Sequence, residues 1–205
     1  LGRQYDENTH SDFIAALLTP SISGALATQF MSGLWRMTRA ADDCAVAESA
    51  YQLAHREVRL DALLASLGSA AAGRRRLDVV VRTPRRILVI ENKLLSAESE
   101  GQTPDYYDCV AAYATNTRRS AGYLFLSAQG LRPKCQHFRP VSYVELYLLL
   151  TRLRREAVLG HEAAHIVDTY VCELSHTFVE PVRCALTRAK RCLEEGCYGV
   201  STRVF

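Results

Sequence analysis

Long apolar runs are missing from this 205-residue sequence, and none approaches the roughly 18 residues that cross a bilayer. The first residues, LGRQYDENTHSDF, lack both the basic n-region and the apolar h-region of an export signal. Hydrophobic residues make up 48% and charged residues 23%, ordinary values that exclude a disordered or fibrous chain. We therefore expect a soluble, cytoplasmic protein that folds as a single domain over 1–205.

The sequence also has no CxxC pair of cysteines, and it has few lysines. The seven cysteines, at positions 44, 109, 135, 172, 184, 192 and 197, form no CxxC pair, so reduced thiols in a cytosol are the simplest interpretation. The only lysines are Lys93, Lys134 and Lys190, against 22 arginines. Arginine replaces lysine as a bulk positive charge but not where a compact ammonium is needed, so Lys93 is the candidate for a specific role.

Helical periodicity dominates both ends of the chain. At the N-terminal end it predicts a helix over 10–19, with Ser11 as the N-cap and Pro20 ending it, and a second helix over 25–39. Toward the C-terminus it predicts helices over 142–155, 162–178 and 181–194.

Strand patterns occupy the middle of the chain. The segments LDVVV and RILVIENK are β-branched runs on either side of Thr83-Pro84-Arg85, which is the pattern of a hairpin. A helix is predicted over 102–114, followed by a fully apolar strand over 121–127. Residues 44–66 fit a helix, although HREVRL within them also fits a strand. This order predicts an α/β fold in which helices flank a small mixed sheet.

The hairpin register brings charged groups together. If the turn is centred between Pro84 and Arg85, cross-strand partners have numbers that add to 169, and Asp78 faces Glu91 with Cβ atoms about 5 Å apart. Lys93 joins the same face by the strand period of two. Two carboxylates this close repel each other by about 4 kcal/mol at an effective dielectric near 20. A divalent cation relieves that repulsion, and two acidic oxygens with waters are a usual Mg²⁺ site.

This metal site predicts phosphodiester hydrolysis. A Mg²⁺ or Mn²⁺ ion there would polarise a phosphoryl oxygen and lower the pKa of a bound water, while Lys93 positions or deprotonates the attacking water. The alternative is a partly solvated ion-pair cluster at a sheet edge, an arrangement that contributes little to stability.

The same segments resemble the PD-(D/E)XK nuclease superfamily. LDVVV and IENK match its catalytic core, except that Leu77 stands where the family has proline. The sequence from Gln102 to Tyr106 matches the QxxxY element of several DNA-processing branches, and segment 7–20 is similar to an N-terminal signature of a bacterial subgroup. The resemblance implies a restriction-endonuclease-like core at about 45–130, with helical additions over 1–44 and 140–205.

The resemblance also implies roles for individual residues. Asp78 and Glu91 would hold the metal ion together with the backbone carbonyl of Asn92. Lys93 would act on the attacking water. Gln102 and Tyr106, one helical turn apart on one face, would orient that water or the phosphate. The family's additional upstream acid corresponds to Glu57, with Glu48 and Asp61 as competitors.

Three arginine clusters are expected to flank this active face and bind nucleic-acid phosphates, although such runs are usually only solvated surface. The clusters are Arg74, Arg75 and Arg76; Arg85 and Arg86; and Arg118 and Arg119. The hairpin register places Arg76 opposite Lys93. DNA is the expected partner, in phage defence or DNA repair, while RNA and a homodimer are left open. The alternative function is a catalytically silent nucleic-acid-binding or assembly module of the same fold.

A second metal motif, His161-Glu162-Ala-Ala-His165, fits the HExxH pattern of zinc peptidases. The candidate third ligands are Glu173, His176 and Glu180, and none has the spacing of a well-known class. A zinc peptidase is therefore the less favoured alternative to the polar start of a helix.

The C-terminal cysteines could in principle hold an iron-sulfur cluster. Their positions, 172, 184, 192 and 197, lack the tight thiolate pairs that such clusters use, and we predict buried apolar cysteines instead.

Overall fold

A computed structural model describes residues 6–38, 54–60, 62, 75–94 and 96–194, apart from the side chains of 192 and 193. Several predictions concern residues outside this part of the chain. They are the helical alternative over 44–53 and 63–66, the competing acids Glu48 and Asp61, the basic residue Arg74, the cysteines Cys44 and Cys197, and the side chain of Cys192.

Helices occupy both ends of the described chain, and strands occupy the middle, as predicted. The helices are α1 (Glu7–Leu17), α2 (Pro20–Ser23), α3 (Ala25–Thr38), α4 (Gln102–Asn116), α5 (Tyr143–Glu156), α6 (His161–Leu174) and α7 (Glu180–Glu194), with a π-helical turn (Ser175–Val179) joining α6 to α7. The strands are β1 (Ala54–Arg59), β2 (Arg76–Arg82), β3 (Arg86–Lys93), β4 (Ser120–Ser127) and β5 (Arg139–Ser142).

The five strands form one mixed sheet in the order β1-β2-β3-β4-β5. Strands β1, β2 and β3 are antiparallel neighbours, whereas β3, β4 and β5 run parallel. The predicted α/β fold with a small mixed sheet flanked by helices is confirmed. In the described helices, no segment combines the length and the apolar character needed to span a bilayer.

The predicted register of the β2–β3 hairpin is also confirmed. Val79 pairs with Ile90 and Val81 pairs with Leu88, so cross-strand partners have numbers adding to 169. The hydroxyl of Thr83 fixes the turn by accepting a 2.9 Å hydrogen bond from the backbone N–H of Arg86. Because the side-chain period of a strand is two, this register decides which residues share a face of the sheet.

Each face of the sheet carries its own apolar core. Val79 and Leu88 on one face pack in the core formed with α1, α3, α5 and α6. Val80 and Val89 on the other face pack beneath α4. Strand β3 is buried from Arg86 to Asn92, which explains its nearly continuous apolar sequence.

The first helix differs from its prediction. Asp6, not Ser11, is the N-cap, because its carboxylate accepts a 3.0 Å hydrogen bond from the N–H of Asn8. Ser11 is buried inside α1. Pro20 does not simply end this helix, because it starts the short helix α2, where its missing N–H has no cost.

Strand β5 was not predicted. Its four residues, Arg139–Ser142, include Pro140, which removes a backbone donor and is tolerated because the strand lies at the sheet edge. The open choice over HREVRL is settled in favour of a strand, since β1 spans Ala54–Arg59.

Candidate active site

The candidate site lies where β2 and β3 separate at one end of the sheet. The ladder ends at the pair Val79 and Ile90, so the predicted pair of Asp78 and Glu91 falls one step beyond it. The next residues along β3 are Glu91, Asn92 and Lys93. Glu91 is fully buried, with 0% of its surface exposed. A charged side chain in this position is costly unless other groups compensate for its lost hydration.

Strand β1 is irregular next to this site. Its ladder with β2 pairs residue 56 with 79 and 58 with 77, but not Glu57 with Asp78. Glu57 has a φ of 49°, in the left-handed region that is uncommon for residues other than glycine. The Glu57 carboxylate turns away to Arg76, whose Nη1 lies 2.7 Å from it.

The release of Asp78 from the ladder frees it for other contacts. Its carboxylate Oδ2 accepts a 2.8 Å hydrogen bond from the backbone N–H of Asn92, which ties β2 to β3 at the site. Its backbone carbonyl accepts a 2.8 Å hydrogen bond from Arg56, which also forms a 2.6 Å ion pair with Asp12. Burial raises the pKa of Asp78, while the Asn92 hydrogen bond and the Lys93 charge act in the opposite direction.

The electrostatics of Glu91 are the most unusual feature of the site. Burial, and secondly the charge of Asp78, raise the pKa of Glu91 to about 8, against the lowering effect of Lys93. Its Oε1 has two partners, whereas its buried Oε2 has no hydrogen-bond partner within the described residues. A buried carboxylate oxygen left unpaired beside a second carboxylate is the arrangement expected of a cation ligand.

Lys93 supplies the positive charge of the cluster. Its Nζ lies 3.1 Å from Oε1 of Glu91, and 16% of its side chain is exposed. Burial lowers the pKa of Lys93. The charge and the hydrogen bond of Glu91, together with the charges of Asp78 and Glu7, outweigh burial, so the pKa is raised overall. The side chain is therefore an ammonium at neutral pH.

Gln102 and Tyr106 approach Glu91 from α4. The Gln102 amide donates a 2.6 Å hydrogen bond to Oε1 of Glu91 and a 3.1 Å bond to the Tyr106 hydroxyl. The Tyr106 hydroxyl donates in turn to the backbone carbonyl of Arg76, so it joins α4 to β2. Burial and then the Glu91 charge raise the pKa of Tyr106 to about 12. Both side chains are buried and their polar atoms are engaged within the protein.

Asn92 projects to the opposite face of the sheet, where its side chain is held on three sides. Its Nδ2 donates to the Ser11 hydroxyl at 3.0 Å and to the Glu7 carbonyl at 2.9 Å, and its Oδ1 accepts a 2.7 Å bond from the Tyr143 hydroxyl. These contacts fix the backbone between Glu91 and Lys93. The sequence motif includes Asn92, but not the two hydroxyls that hold it.

Glu7 is a further acid of the site, and the sequence motifs did not single it out. Its Oε1 accepts hydrogen bonds from the N–H of Leu94 at 2.9 Å and from the N–H of Ser96 at 3.1 Å. Its charge also raises the pKa of Asp78 and of Glu91. Glu7 begins the ENTHSDF segment, so its place in that signature was the available signal.

Arg75 and Arg76, the described members of the first arginine cluster, lie beside the site. Arg75 donates a 2.7 Å hydrogen bond to the Glu100 carbonyl and pairs with Asp105 at 3.2 Å, close to the start of α4. Arg76 pairs with Glu57, and across the sheet it pairs with Arg59 of β1 rather than with the predicted Lys93. The separation of β2 from β3 beyond Val79 explains the difference.

The expectation that all three arginine clusters flank one face is wrong. Arg86 pairs with Ser120 at the start of the parallel strands, whereas Lys93 pairs with Ser127 at their end. Seven residue steps of β3 separate these ends, about 23 Å at 3.3 Å per residue. Arg85, Arg86, Arg118 and Arg119 therefore lie at the far end of the sheet. Arg86 is buried over the Trp35 ring, and Arg119 donates to the Thr83 carbonyl.

The HExxH segment forms the exposed start of α6. His161, Glu162 and His165 are all accessible to solvent. In the described parts of the chain, no three His, Cys, Asp or Glu side chains are grouped as a metal site, which leaves these histidines without a third ligand. By the same finding, Glu57, Asp78 and Glu91 do not form such a group. The cysteine prediction was wrong for Cys172 and Cys184, which are exposed.

Comparison with known proteins gives the family. A profile of the PD-(D/E)XK nuclease superfamily matches residues 1–191, nearly the whole chain. The protein belongs to the PD-(D/E)XK nuclease superfamily. No curated protein matches the chain, and no solved structure matches it. Members of this superfamily typically use divalent metal ions.

The side chains at the candidate site fit such an ion. Asp78 and Glu91 are hard oxygen donors next to each other, and Oε2 of Glu91 is unpaired among the described residues. Two carboxylates do not complete a Mg²⁺ shell, so a backbone carbonyl and waters would have to supply the other ligands.

Proposed function

We propose that this PD-(D/E)XK protein is a metal-dependent nuclease that hydrolyses DNA phosphodiester bonds with Mg²⁺ or Mn²⁺. The observation that carries the proposal is the buried Glu91 carboxylate, with one oxygen unpaired in the described structure, between Asp78 and Lys93. A purely structural ion pair would use both carboxylate oxygens or be solvated. This cluster instead keeps a buried donor atom unpaired, at a cost of about 1–3 kcal/mol.

In this proposal Asp78, Glu91 and the backbone carbonyl of Asn92 hold the cation. When bound, the cation supplies Lewis-acid polarisation of the scissile phosphate. Glu57 is left out of the ligand set because Arg76 holds its carboxylate at the surface.

Lys93 acts as a hydrogen-bond donor and a positive charge. Its raised pKa keeps the ammonium protonated, so it binds the attacking water or a phosphate oxygen rather than removing a proton. Its contact with Glu91 at 3.1 Å fixes where that donor points. The charge of Lys93 then offsets the negative charge that develops on the phosphate.

Gln102 and Tyr106 act as positioning residues in this account. The Gln102 amide holds Oε1 of Glu91, which leaves Oε2 for the cation. Tyr106 holds Gln102 and the start of β2 together. This assignment refines the expectation that both side chains orient the water or the phosphate directly.

DNA is the substrate we propose, because the QxxxY element resembles that of DNA-processing branches. Arg75 and Arg76 are basic residues near the site, and their charges suit the phosphates that flank a scissile bond. A role in phage defence or DNA repair and a homodimeric form belong to the same proposal.

A cleavage assay tests this function. Supercoiled plasmid, linear duplex DNA and an RNA of matched sequence are incubated with Mg²⁺, Mn²⁺ or EDTA. Wild-type protein should cleave DNA only with a divalent cation, Lys93→Ala should lose most of the activity, and Lys93→Arg should rescue it poorly because guanidinium geometry differs. Lys134→Ala, which removes an exposed lysine, is the matched control. Divalent-metal binding without hydrolysis of any substrate would contradict the proposal and favour the catalytically silent module.

A further inference from the structure

We propose that helix α7 is a DNA-binding arm whose basic face contacts the phosphate backbone of the substrate. The inference rests on the proposed function and extends it, since it assigns a surface that would hold the substrate. The residues from Pro181 to Arg191 are exposed, so this helix stands away from the other helices and strands that the structure describes.

The two faces of α7 differ in chemistry. At 100° per residue, one face carries the arginines and a shallow furrow lined by Arg183, Cys184, Thr187, Arg188 and Arg191. The opposite face carries small and apolar residues, with Val182 and Leu186 more than half exposed. The helix contains four basic and two acidic residues, so its net charge is positive.

The four basic residues of α7 differ in their ion pairs. Arg183 pairs with Glu180 at 2.7 Å, and Lys190 pairs with Glu194 at 3.7 Å. Arg188 and Arg191 form no ion pair in the part of the chain that the structure describes. Exposed guanidinium groups on one helix face carry the charge and the hydrogen-bond donors that phosphate contacts use.

The base of the arm touches the support of the active site. Phe178, in the π-helical turn before α7, stacks on the ring of Tyr143 at a centroid distance of 4.3 Å. Tyr143 holds the side chain of Asn92, between Glu91 and Lys93. The arm therefore begins on the face of the sheet to which Asn92 projects, opposite to that of Glu91, and extends over 15 residues, about 22 Å.

Charge favours DNA over a second copy of this chain as the partner of the basic face. Antiparallel pairing of two α7 helices about Thr187 sets Arg183 against Arg191 and Glu180 against Glu194. Parallel pairing sets each charge beside its own copy. Both arrangements repel, whereas a polyanion attracts the basic face. A helix needs a broad apolar face to insert into an anionic membrane, and α7 offers only two large exposed hydrophobic side chains in its described part.

The test compares two pairs of arginines with the same spacing. R188Q/R191Q alters the arm, and R152Q/R155Q alters the exposed end of α5 as a matched control. Binding to a labelled duplex of about 30 base pairs is measured in EDTA over a salt series. The arm variant should bind about tenfold more weakly, with a salt slope reduced by about 2 because two phosphate contacts are lost. The control should change neither value appreciably, and circular dichroism checks folding.

Further outcomes separate this inference from the proposed function. Hydrolysis of bis(p-nitrophenyl) phosphate, which is too small to reach the arm, should stay at the wild-type rate in R188Q/R191Q. R188E/R191E should weaken duplex binding more than the glutamine pair does. If both arm variants kept the wild-type affinity for the duplex and the wild-type salt slope, the inference that α7 binds DNA would be overturned. It would also be overturned if these variants lost binding only to phosphatidylserine vesicles. If the wild-type protein bound DNA through α7 but hydrolysed no substrate, the proposed nuclease activity would be contradicted. The inference that α7 binds DNA would still hold.

Discussion

Two segments of this chain have the spacing of a metal site, and they lie in opposite environments. Glu91 is fully buried, with Asp78 and Lys93 acting on it and one oxygen unpaired among the described residues. The HExxH residues His161 and His165 lie at the solvent-exposed start of α6. Spacing along a helix or strand is therefore not sufficient. A site also needs a fold that gathers ligands and withholds water from them.

The largest expected effect is on DNA cleavage, and it distinguishes the Glu91 site from the HExxH segment. Glu91→Gln keeps the shape but removes a charged ligand, so metal-dependent cleavage should fall by about two orders of magnitude or more. His161→Ala should leave cleavage at the wild-type rate. Initial rates of plasmid nicking measure both. Wild-type activity in Glu91→Gln would show that another site performs the chemistry.

The second effect is on stability in the absence of metal. The pKa of Glu91 rises from 4.5 to about 8 on folding, so the folded state retains a proton that the unfolded state has lost across this window. The contribution of Glu91 to stability should therefore be full below about pH 4.5 and should fall by a few kcal/mol as the pH rises through 8.

Urea denaturation in EDTA across this pH range measures the effect. Glu91→Gln should remove most of the decline and be more stable than wild type at high pH. An equal decline in both proteins would show that the Glu91 carboxyl is not the group that titrates.

A smaller effect tests the support of the site. Tyr143→Phe removes the hydrogen bond to Oδ1 of buried Asn92, which should cost about 1–2 kcal/mol of stability. Cleavage should fall about tenfold with a higher Mg²⁺ requirement, because the backbone between the charged residues is less well fixed. Tyr147→Phe, on the same helix, is the control. Equal effects of the two substitutions would remove the special role of Tyr143.

The register of the site was predictable because a proline turn and two β-branched runs leave few ways to pair β2 with β3. That register is enough to bring Asp78 and Glu91 to the same end of the hairpin. The local break at Glu57, which turns that carboxylate to Arg76, carries no pattern in the sequence. Glu7 and Tyr143 come from segments far along the chain, and only the packing of α1 and α5 against β3 brings them to Asn92.

The misplaced arginines have an equally simple cause. Proximity along the chain suggested that Arg85 and Arg118 flank the site, as Arg76 does. The two ends of β3 lie about 23 Å apart, so residues in the turn before β3 cannot lie near those at its end. The exposed face of α7 was likewise invisible, because its helical pattern fits a packed helix equally well.

The smallest expected effect lies at the HExxH segment. The double substitution His161→Ala and His165→Ala changes two exposed side chains, so stability should stay within about 0.5 kcal/mol of wild type. Elemental analysis of the purified wild-type protein should find no stoichiometric zinc. Zinc that is present in wild type and lost in the double variant would make this segment a metal site.

Calorimetric titration of metal-free protein with Mn²⁺ tests the central claim most directly. At about pH 8.5 the Glu91 carboxyl is largely ionised and can accept a cation. We predict saturable binding to wild type and to His161→Ala with equal affinity, and loss of that binding in Glu91→Gln. Mn²⁺ binding that survives Glu91→Gln but disappears in His161→Ala would contradict the account.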